Sequence, residues 1–384
     1  MRHHDTNSIY VDENQALLLK MLFSAETEML SYYQKWIALV PFDFLDGGSF
    51  RLMPMLYKKL APYGLRDERY EKIKGIYRYT LYKNSIIMSG FHKIAQALHN
   101  AGIRVMLLKG GALILKYYQD RGVRPMNDID LLIEKQHVRH AIDILSGLGW
   151  QDSGQQNFDL SLNRYPTITL LGRHGFELDL HWNIMTEYGN QDFSSNLWQA
   201  SSIFNFQGVP IFLLGAEDQI MHNCAHGVKW NELPPIRWIP DVLAILNTES
   251  DLSWTSLALK CRERKLTMPV RSCLRYLKSN FNAPVPDIAM GILDALPVSK
   301  KEHGIYTDHT KAPTFARRVV RQWRLYRKDY PDRSWIAKIL LFPGYLKMKS
   351  GIERYRDCMR YICLLALNAL RRRTANSKIT TLAF

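Results

Sequence analysis

The spacing of apolar residues changes twice along the chain, and each change marks a different kind of predicted structure. Over residues 1–101 apolar positions recur every three to four residues, which predicts helices, the longest of them over 67–100. Over 102–190 short apolar runs lie between stretches of helical spacing, which predicts strands alternating with helices. Helical spacing returns from about residue 215. The pattern therefore predicts a small α/β core inside a mainly helical protein.

The predicted elements of this core follow one another in a defined order. An apolar run over 103–108 is typical of a buried strand, and a Gly-Gly pair breaks it before helical spacing resumes. A second strand covers 128–133. Residues 168–171 and 176–182 then predict a hairpin whose turn is bounded by glycines.

Composition is that of a globular protein with two or three domains. The chain has 384 residues, 47% of them apolar and 23% charged, which excludes a disordered or fibrous chain. No apolar run of about 18 residues occurs, and the first residues lack the apolar region of a signal peptide. The five cysteines form no C-x-x-C pair, unlike those of a thiolate zinc site. We therefore expect a reduced, cytoplasmic protein.

Charge is unevenly distributed between the predicted regions. The formal net charge is +15, and residues 300–384 hold 20 of the 51 basic and 6 of the 36 acidic residues, a net +14. We predict an N-terminal helical region (1–101), a core (102–190), a helical domain (191–299) and a basic helical tail (300–384).

The basic tail has several candidate partners. Its basic residues suit RNA, an anionic membrane surface or an acidic protein. Binding to a membrane surface would make the protein peripheral to a membrane. Two apolar stripes, one containing Phe315, Val319 and Trp323 and one over 361–370, suit an interfacial amphipathic helix. They suit equally a helix that packs on the protein with a basic, solvated outer face.

Two pairs of carboxylates lie on the predicted strands of the core. Asp128 and Asp130 are two residues apart, so both side chains leave one face of a strand, and Glu177 and Asp179 repeat this arrangement on the hairpin. Adjacent carboxylates repel each other, and Mg²⁺, which takes oxygen ligands and bridges to phosphates, gives a reason for their presence. If the two strands pair, three carboxylates can hold two metal ions for displacement at phosphorus.

Residues beside these strands indicate a phosphate ligand. Gly110 and Gly111 leave backbone N–H groups at a helix start open to phosphate oxygens. Lys109 can neutralise a phosphate, and Arg124 can pair with the acids or with a nucleotide. His181 shares a strand face with Asp179 and can orient an acceptor or act as a base. Structural roles remain an alternative for Lys109, Arg124 and His181.

One histidine pair has a spacing that also occurs in zinc sites. His222 and His226 are four residues apart, on one face of a predicted helix. Asn223 stands where an H-E-x-x-H motif has glutamate, and no third ligand stands out. Helix packing is therefore the favoured interpretation.

Three segments together resemble the motifs of a known superfamily. LLKGGALILKYY, RPMNDIDLLI and FELDLHWNI are similar to the glycine motif, the D-x-D motif and the third-acid strand of DNA polymerase β-like nucleotidyltransferases. Within that superfamily the chain resembles the branch of uncharacterised bacterial nucleotidyltransferases, over roughly residues 75–250. The resemblance implies an α+β fold, in which a small mixed sheet forms a polymerase β-like core embedded in a mainly helical protein.

The resemblance also implies roles for individual residues. Gly110 and Gly111 would bind the nucleotide triphosphate. Asp128 and Asp130 would ligate magnesium, and Asp179 would be the third acid, which completes a two-metal site.

Two points of the motif pattern need separate interpretation. Glu177 is the alternative third acid if the hairpin register slips. Sixteen residues separate Gly111 from Asp128, more than in compact members of the superfamily, and we interpret them as an insertion that the close branch shares.

The implied reaction is the transfer of a nucleoside monophosphate from an NTP, with ATP the expected donor and pyrophosphate released. The acceptor is left open between a peptide or protein side chain, a small molecule and an RNA end. A function of another class also stays open: a non-catalytic partner protein that binds a nucleotide, or one that associates with nucleic acid or a membrane.

Overall fold

The computed structural model describes residues 11–152, 166–172, 175–185, 194–230, 236–311 and most of 319–350. The chain divides into two units, Met1–Thr310 and Lys311–Phe384. Two features predicted in the tail, Phe315 and the stripe over 361–370, lie outside the described residues. Among the described helices, none has both the length and the apolar character needed to cross a membrane.

Within the described residues, five α-helices precede the first strand of the sheet. They are α1 (Glu13–Phe23), α2 (Glu26–Leu39), α3 (Gly47–Phe50), α4 (Met53–Leu60) and α5 (Glu68–Asn100). Asp67 caps α5 by accepting the Tyr70 N–H at 3.0 Å, which satisfies a backbone donor that the helix leaves free. The Tyr33 hydroxyl donates to the same carboxylate at 2.9 Å and so ties α2 to α5. The predicted long helix is confirmed.

Seven strands form one mixed sheet. They are β1 (Met106–Leu107), β2 (Asp128–Leu132), β3 (Gln151–Asp152), β4 (Thr167–Leu171), β5 (Glu177–His181), β6 (Ser202–Phe206) and β7 (Val209–Leu213). Their order is β3-β4-β5-β2-β1-β7-β6. The pairs β2–β5 and β1–β7 are parallel, and the other neighbours are antiparallel. The α+β fold and the predicted hairpin, β4–β5, are confirmed.

Apolar packing on one side of this sheet leaves the acidic residues on the other. Leu131 and Leu178 pack with Phe91 of α5 and with Leu145 of α7 (Val138–Gly147) in one buried cluster. Successive side chains of a strand point to opposite faces, so the acids of β2 and β5 leave the face away from this cluster.

Helix α6 (Lys109–Leu113) lies between β1 and β2, and the later helices of the first unit follow β5. They are α8 (Ser194–Gln199), α9 (Ala216–Gly227), α10 (Trp238–Thr248), α11 (Trp254–Arg264), α12 (Thr267–Phe281), α13 (Asp287–Ala295) and α14 (Lys300–Thr310). One buried cluster joins Trp36 and Leu56 from the N-terminal helices with Ile239 and Leu274 from α10 and α12. The two helical regions that the sequence separates therefore share one core, while the predicted domain boundaries stay predictions.

Helix α14 lies in the first unit, although its residues fall within the predicted basic tail. The buried Glu302 carboxylate accepts the Met268 N–H at 3.0 Å, at the start of α12. The Tyr306 hydroxyl donates to Ser272 at 2.9 Å. These contacts fix α14 against α12.

The second unit contains α15 (Trp335–Ser350) and a small aromatic cluster. One side of α15 buries Phe342 and Leu346 against Val319 and Tyr326. Val319, predicted on the apolar stripe of a tail helix, thus belongs to a local core.

Close packing of two helices at Gly227 gives a test of the fold. A Cβ there would lie 2.3 Å from Cγ of the buried Trp238, whereas a Cβ at Gly291 in α13 would meet nothing within 4 Å. Gly227→Ala should lower the free energy of unfolding by about 1–3 kcal/mol through overpacking. Gly291→Ala should raise it by about 0.5–1 kcal/mol, because alanine favours a helix interior. Chemical denaturation of both variants measures the difference, and equal effects would contradict the α9–α10 packing.

Candidate functional site

Parallel pairing of β2 with β5 brings the predicted acids side by side. Asp130 is opposite Asp179, and Asp128 is opposite Glu177. Because side chains alternate along each strand, all four carboxylates leave the same face of the sheet. The condition set by the sequence, that the hairpin strand pairs beside the D-x-D strand, is met.

Three of the predicted residues converge into one cluster. Asp130, Asp179 and His181 each offer one ligand atom, and these atoms lie within 4.8 Å of one another. His181 Nε2 lies 3.1 Å from Asp130 Oδ1. The Thr169 hydroxyl on β4 donates to Asp179 Oδ1 at 2.6 Å, which orients that carboxylate. The cluster is thus built from three adjacent strands.

Lys109 supplies the positive charge nearest to this cluster. Its ammonium donates to Asp130 Oδ1, and the Asp130 side chain is only 3% exposed. Burial alone would raise the pKa of Asp130, but the hydrogen bond with His181 and the charge of Lys109 outweigh it and lower that pKa. Lys109 has a φ of 45°, in the left-handed region that side chains rarely adopt. Such backbone strain is found most often at functional sites.

Asp128 and Glu177 lie beside the cluster, not in it. Asp128 is half-buried at the start of β2, and Glu177 is exposed. Burial and the neighbouring charge of Asp130 raise the pKa of Asp128. Asp128 therefore carries an electrostatic penalty that an added cation on this face would relieve.

Neighbouring side chains in the protein interior leave little room for a Cβ at either glycine. A Cβ on Gly110 would lie 2.4 Å from Nη1 of Arg124, and one on Gly111 would lie 2.9 Å from the Leu107 methyl carbons. Both glycines are buried in α6 (Lys109–Leu113), directly after β1. Their binding of a triphosphate stays a prediction.

Arg124 forms a buried, two-pronged ion pair with Asp241 of α10. Its Nε and Nη2 each donate to the carboxylate at 2.8 Å, and the side chains are 7% and 3% exposed. The Tyr118 hydroxyl donates to the same carboxylate at 2.8 Å. The Asn84 amide donates to the Arg124 carbonyl at 2.8 Å, so α5 also holds this loop. The pair links the segment before the D-x-D strand to the helical core, and a nucleotide contact by Arg124 stays a prediction.

His222 and His226 stack their rings edge to face, with centroids 4.6 Å apart. His222 is buried, and desolvation followed by the proximity of His226 holds its pKa well below the usual range. Neither histidine belongs to the three-residue cluster found in the described part of the chain.

The donor set of the cluster fits a divalent cation. Two carboxylates offer the oxygen ligands that magnesium prefers, and an imidazole suits several transition metals. Asp128 adds a further oxygen donor on the same face of the sheet.

A sequence model of the uncharacterised nucleotidyltransferase family matches residues 49–282, more than half of the chain. The chain belongs to this family. It is therefore an enzyme of the class that transfers nucleotidyl groups, as the three motifs imply. The match contains every predicted site residue, and at both ends it extends beyond residues 75–250, over which the motifs show the resemblance.

Two solved structures are similar to parts of this family member. A lincomycin-bound lincosamide antibiotic adenylyltransferase, LnuA, is 17% identical, with a TM-score of 0.30, over 41% of this chain and 96% of its own. An antigenic nucleotidyltransferase-like protein from Paracoccidioides brasiliensis is 17% identical, with a TM-score of 0.31, over 49% of this chain and 88% of its own. No curated protein sequence matches the chain.

The sequence did not predict two of the side-chain pairings in and beside the candidate site. Thr169 orients Asp179, and the two residues pair directly in the hairpin. The alternation of side chains along β4 could have indicated that Thr169 lies on the same face as the acids. The Asp241 partner of Arg124 had no such signal, because 117 residues separate the two.

The Arg124–Asp241 pair predicts a large loss of stability when one charge is removed. Asp241→Asn leaves a buried guanidinium without its counter-charge and should lower the free energy of unfolding by about 3–5 kcal/mol. Glu134→Gln is the matched control. The side chains of Glu134 and its partner Arg104 are 30% and 48% exposed, so their ion pair should contribute about 0–1 kcal/mol to the free energy of unfolding. Urea denaturation measures both, and a small effect at Asp241 would mean that the pair is dispensable.

The raised pKa of Asp128 predicts that neutralising this side chain increases the free energy of unfolding, by an amount that depends on pH. The folded state holds this proton more tightly than the unfolded state, so the stability penalty is absent below pH ~4 and grows as pH rises through the folded pKa. Asp128→Asn should therefore stabilise the metal-free protein at neutral pH and have little effect at low pH. Unfolding midpoints in a chelator measure this, with Asp143→Asn on the exposed side of α7 as control. A destabilised Asp128→Asn at neutral pH would contradict it.

Proposed function

We propose that the protein catalyses magnesium-dependent transfer of a nucleoside monophosphate from an NTP, with ATP the expected donor, to an acceptor nucleophile. The nucleophile attacks the α-phosphorus, and pyrophosphate leaves. The observation that carries the proposal is the convergence of Asp130, Asp179 and His181 on one face of β2 and β5, next to Lys109. Family membership supports the reaction class.

In this proposal Asp130 and Asp179 hold the metal, and Asp128 adds a ligand from the same strand. Bound magnesium would neutralise charge on the phosphates. Thr169 fixes the orientation of Asp179, so that carboxylate is positioned before substrate binds.

Lys109 and His181 contribute a charge and a proton acceptor. Lys109 is held beside Asp130, where its ammonium can contact phosphate oxygens as a point charge. His181 lies at the end of β5 in contact with the same carboxylate, where it can orient an acceptor hydroxyl or take its proton. Both groups are largely buried, so their charges act in a medium less polarisable than water.

The test measures label transfer by the full-length protein. Each NTP labelled at the α-phosphate is incubated with magnesium and fractionated cell extract, and acceptors are identified by the fraction that gains label. Asp130→Asn should reduce the rate by ~10²-fold or more, because it removes a charged ligand of the metal that would neutralise the reacting phosphate. Asp143→Asn, on the opposite side of α7 from the core, should leave the rate unchanged.

A binding measurement separates catalysis from nucleotide binding alone. NTP with magnesium should raise the melting temperature of the wild type, since a ligand that binds only the folded state stabilises it. Asp130→Asn should lose the magnesium-dependent part of that shift. A protein that shows the shift but labels no acceptor would support a non-catalytic nucleotide-binding role and would contradict the proposal.

A further inference from the structure

Helix α15 presents apolar side chains to solvent on the side that faces away from its own core. Ile336 and Leu340 are 70% and 71% exposed, Trp335 is 58% and Leu341 is 51%. The opposite side of the helix is already packed, with Phe342 and its neighbours buried in the aromatic cluster of the second unit. Ile336 and Leu340 therefore lie off the core face of α15, whereas Trp335, although exposed, also contacts Trp323 at the edge of that core. We call Trp335, Ile336, Leu340 and Leu341 together the α15 apolar face.

This face is unusual for a surface helix in water. Such helices carry charged or polar residues on the side away from the core. Over 335–346 of α15, Lys338 is the one charged residue in the sequence. A contiguous apolar face of this kind marks an interaction surface.

The unit that carries the α15 apolar face is strongly basic in sequence. Residues 311–384 contain 18 of the 51 basic and 4 of the 36 acidic residues, a net +14, whereas residues 1–310 carry a net +1. The Arg327 guanidinium lies 5.5 Å from the Trp335 ring centroid, at the beginning of the helix. Cations and aliphatic side chains are thus offered together by the same unit.

This combination matches an anionic membrane surface better than RNA or a second copy of the chain. RNA phosphates would pair with the cations, but isoleucine and leucine side chains would gain little from a charged backbone. A second copy would bring together two units of net charge +14. A bilayer interface satisfies both features, because acyl chains accept the apolar face while anionic headgroups attract the cations of the same unit.

We propose that the α15 apolar face binds anionic membrane surfaces, with the helix lying in the plane of the interface. Trp335 suits the headgroup level, where indole rings are enriched. Helix α15 does not meet the requirements for crossing the membrane. The proposal concerns the second unit alone and does not depend on the nucleotidyl-transfer reaction.

The test compares full-length proteins in vesicle co-sedimentation. Wild type should bind phosphatidylcholine vesicles that contain phosphatidylserine, and bind pure phosphatidylcholine vesicles much more weakly. Ile336→Ser/Leu340→Ser should weaken binding to the anionic vesicles at least ~10-fold, because two side chains no longer insert. High salt should weaken wild-type binding as well.

A matched double variant controls for loss of exposed apolar surface in general. Ile203→Ser/Ile288→Ser changes two isoleucines of the first unit that are 69% and 74% exposed, and it should bind vesicles like wild type. Circular dichroism and the nucleotide thermal shift check that each variant is folded, and both substituted pairs are exposed. A variant that has lost its fold is thereby distinguished from a folded variant that has lost vesicle binding.

Three results would overturn the proposal. Wild type that does not bind anionic vesicles at low salt is the first. The second is equal vesicle binding by wild type and Ile336→Ser/Leu340→Ser, which would mean that charge alone accounts for binding. The third is a wild-type oligomer in analytical ultracentrifugation that the α15 variant dissociates, which would mean that a second copy covers the face.

Discussion

The buried carboxylate of Asp130 is the constraint on which the site depends. A charge with 3% exposure is stable only when it is paired, and here an ammonium and an imidazole meet the same oxygen. Those partners come from different places: Lys109 follows β1, and His181 ends β5. Meeting this one requirement therefore fixes β1, β2 and β5 relative to one another, and it gathers the groups of the candidate site.

A second buried charge pair holds the surroundings of that cluster in place. Arg124 reaches Asp241 in α10, and Gly110 leaves the space that the guanidinium occupies. A larger residue at Gly110 would collide with the pair, so the glycine and the ion pair depend on each other. The segment that leads into the D-x-D strand is thereby anchored to a helical core shared by the N-terminal helices and by α9–α13.

The two units differ in net charge and in the groups that they expose. The first has nearly balanced charge and gathers the acids of β2 and β5 on one face of the sheet. The second carries almost all of the net positive charge together with exposed aliphatic residues on α15. The proposed chemistry and the proposed membrane binding thus belong to separate parts of the chain.

The sequence by itself determined the features that depend on neighbours in the chain. Strand alternation puts Asp128 and Asp130 on one face, Asp67 caps the helix that follows it, and three local motifs identify the family. Only the tertiary structure decided which distant groups meet: that His181 and Lys109 share the Asp130 carboxylate, and that Asp241 neutralises Arg124. The same holds for the two helical regions that form one core. Local periodicity reports the face of an element, but pairing across long separations depends on how the whole chain packs.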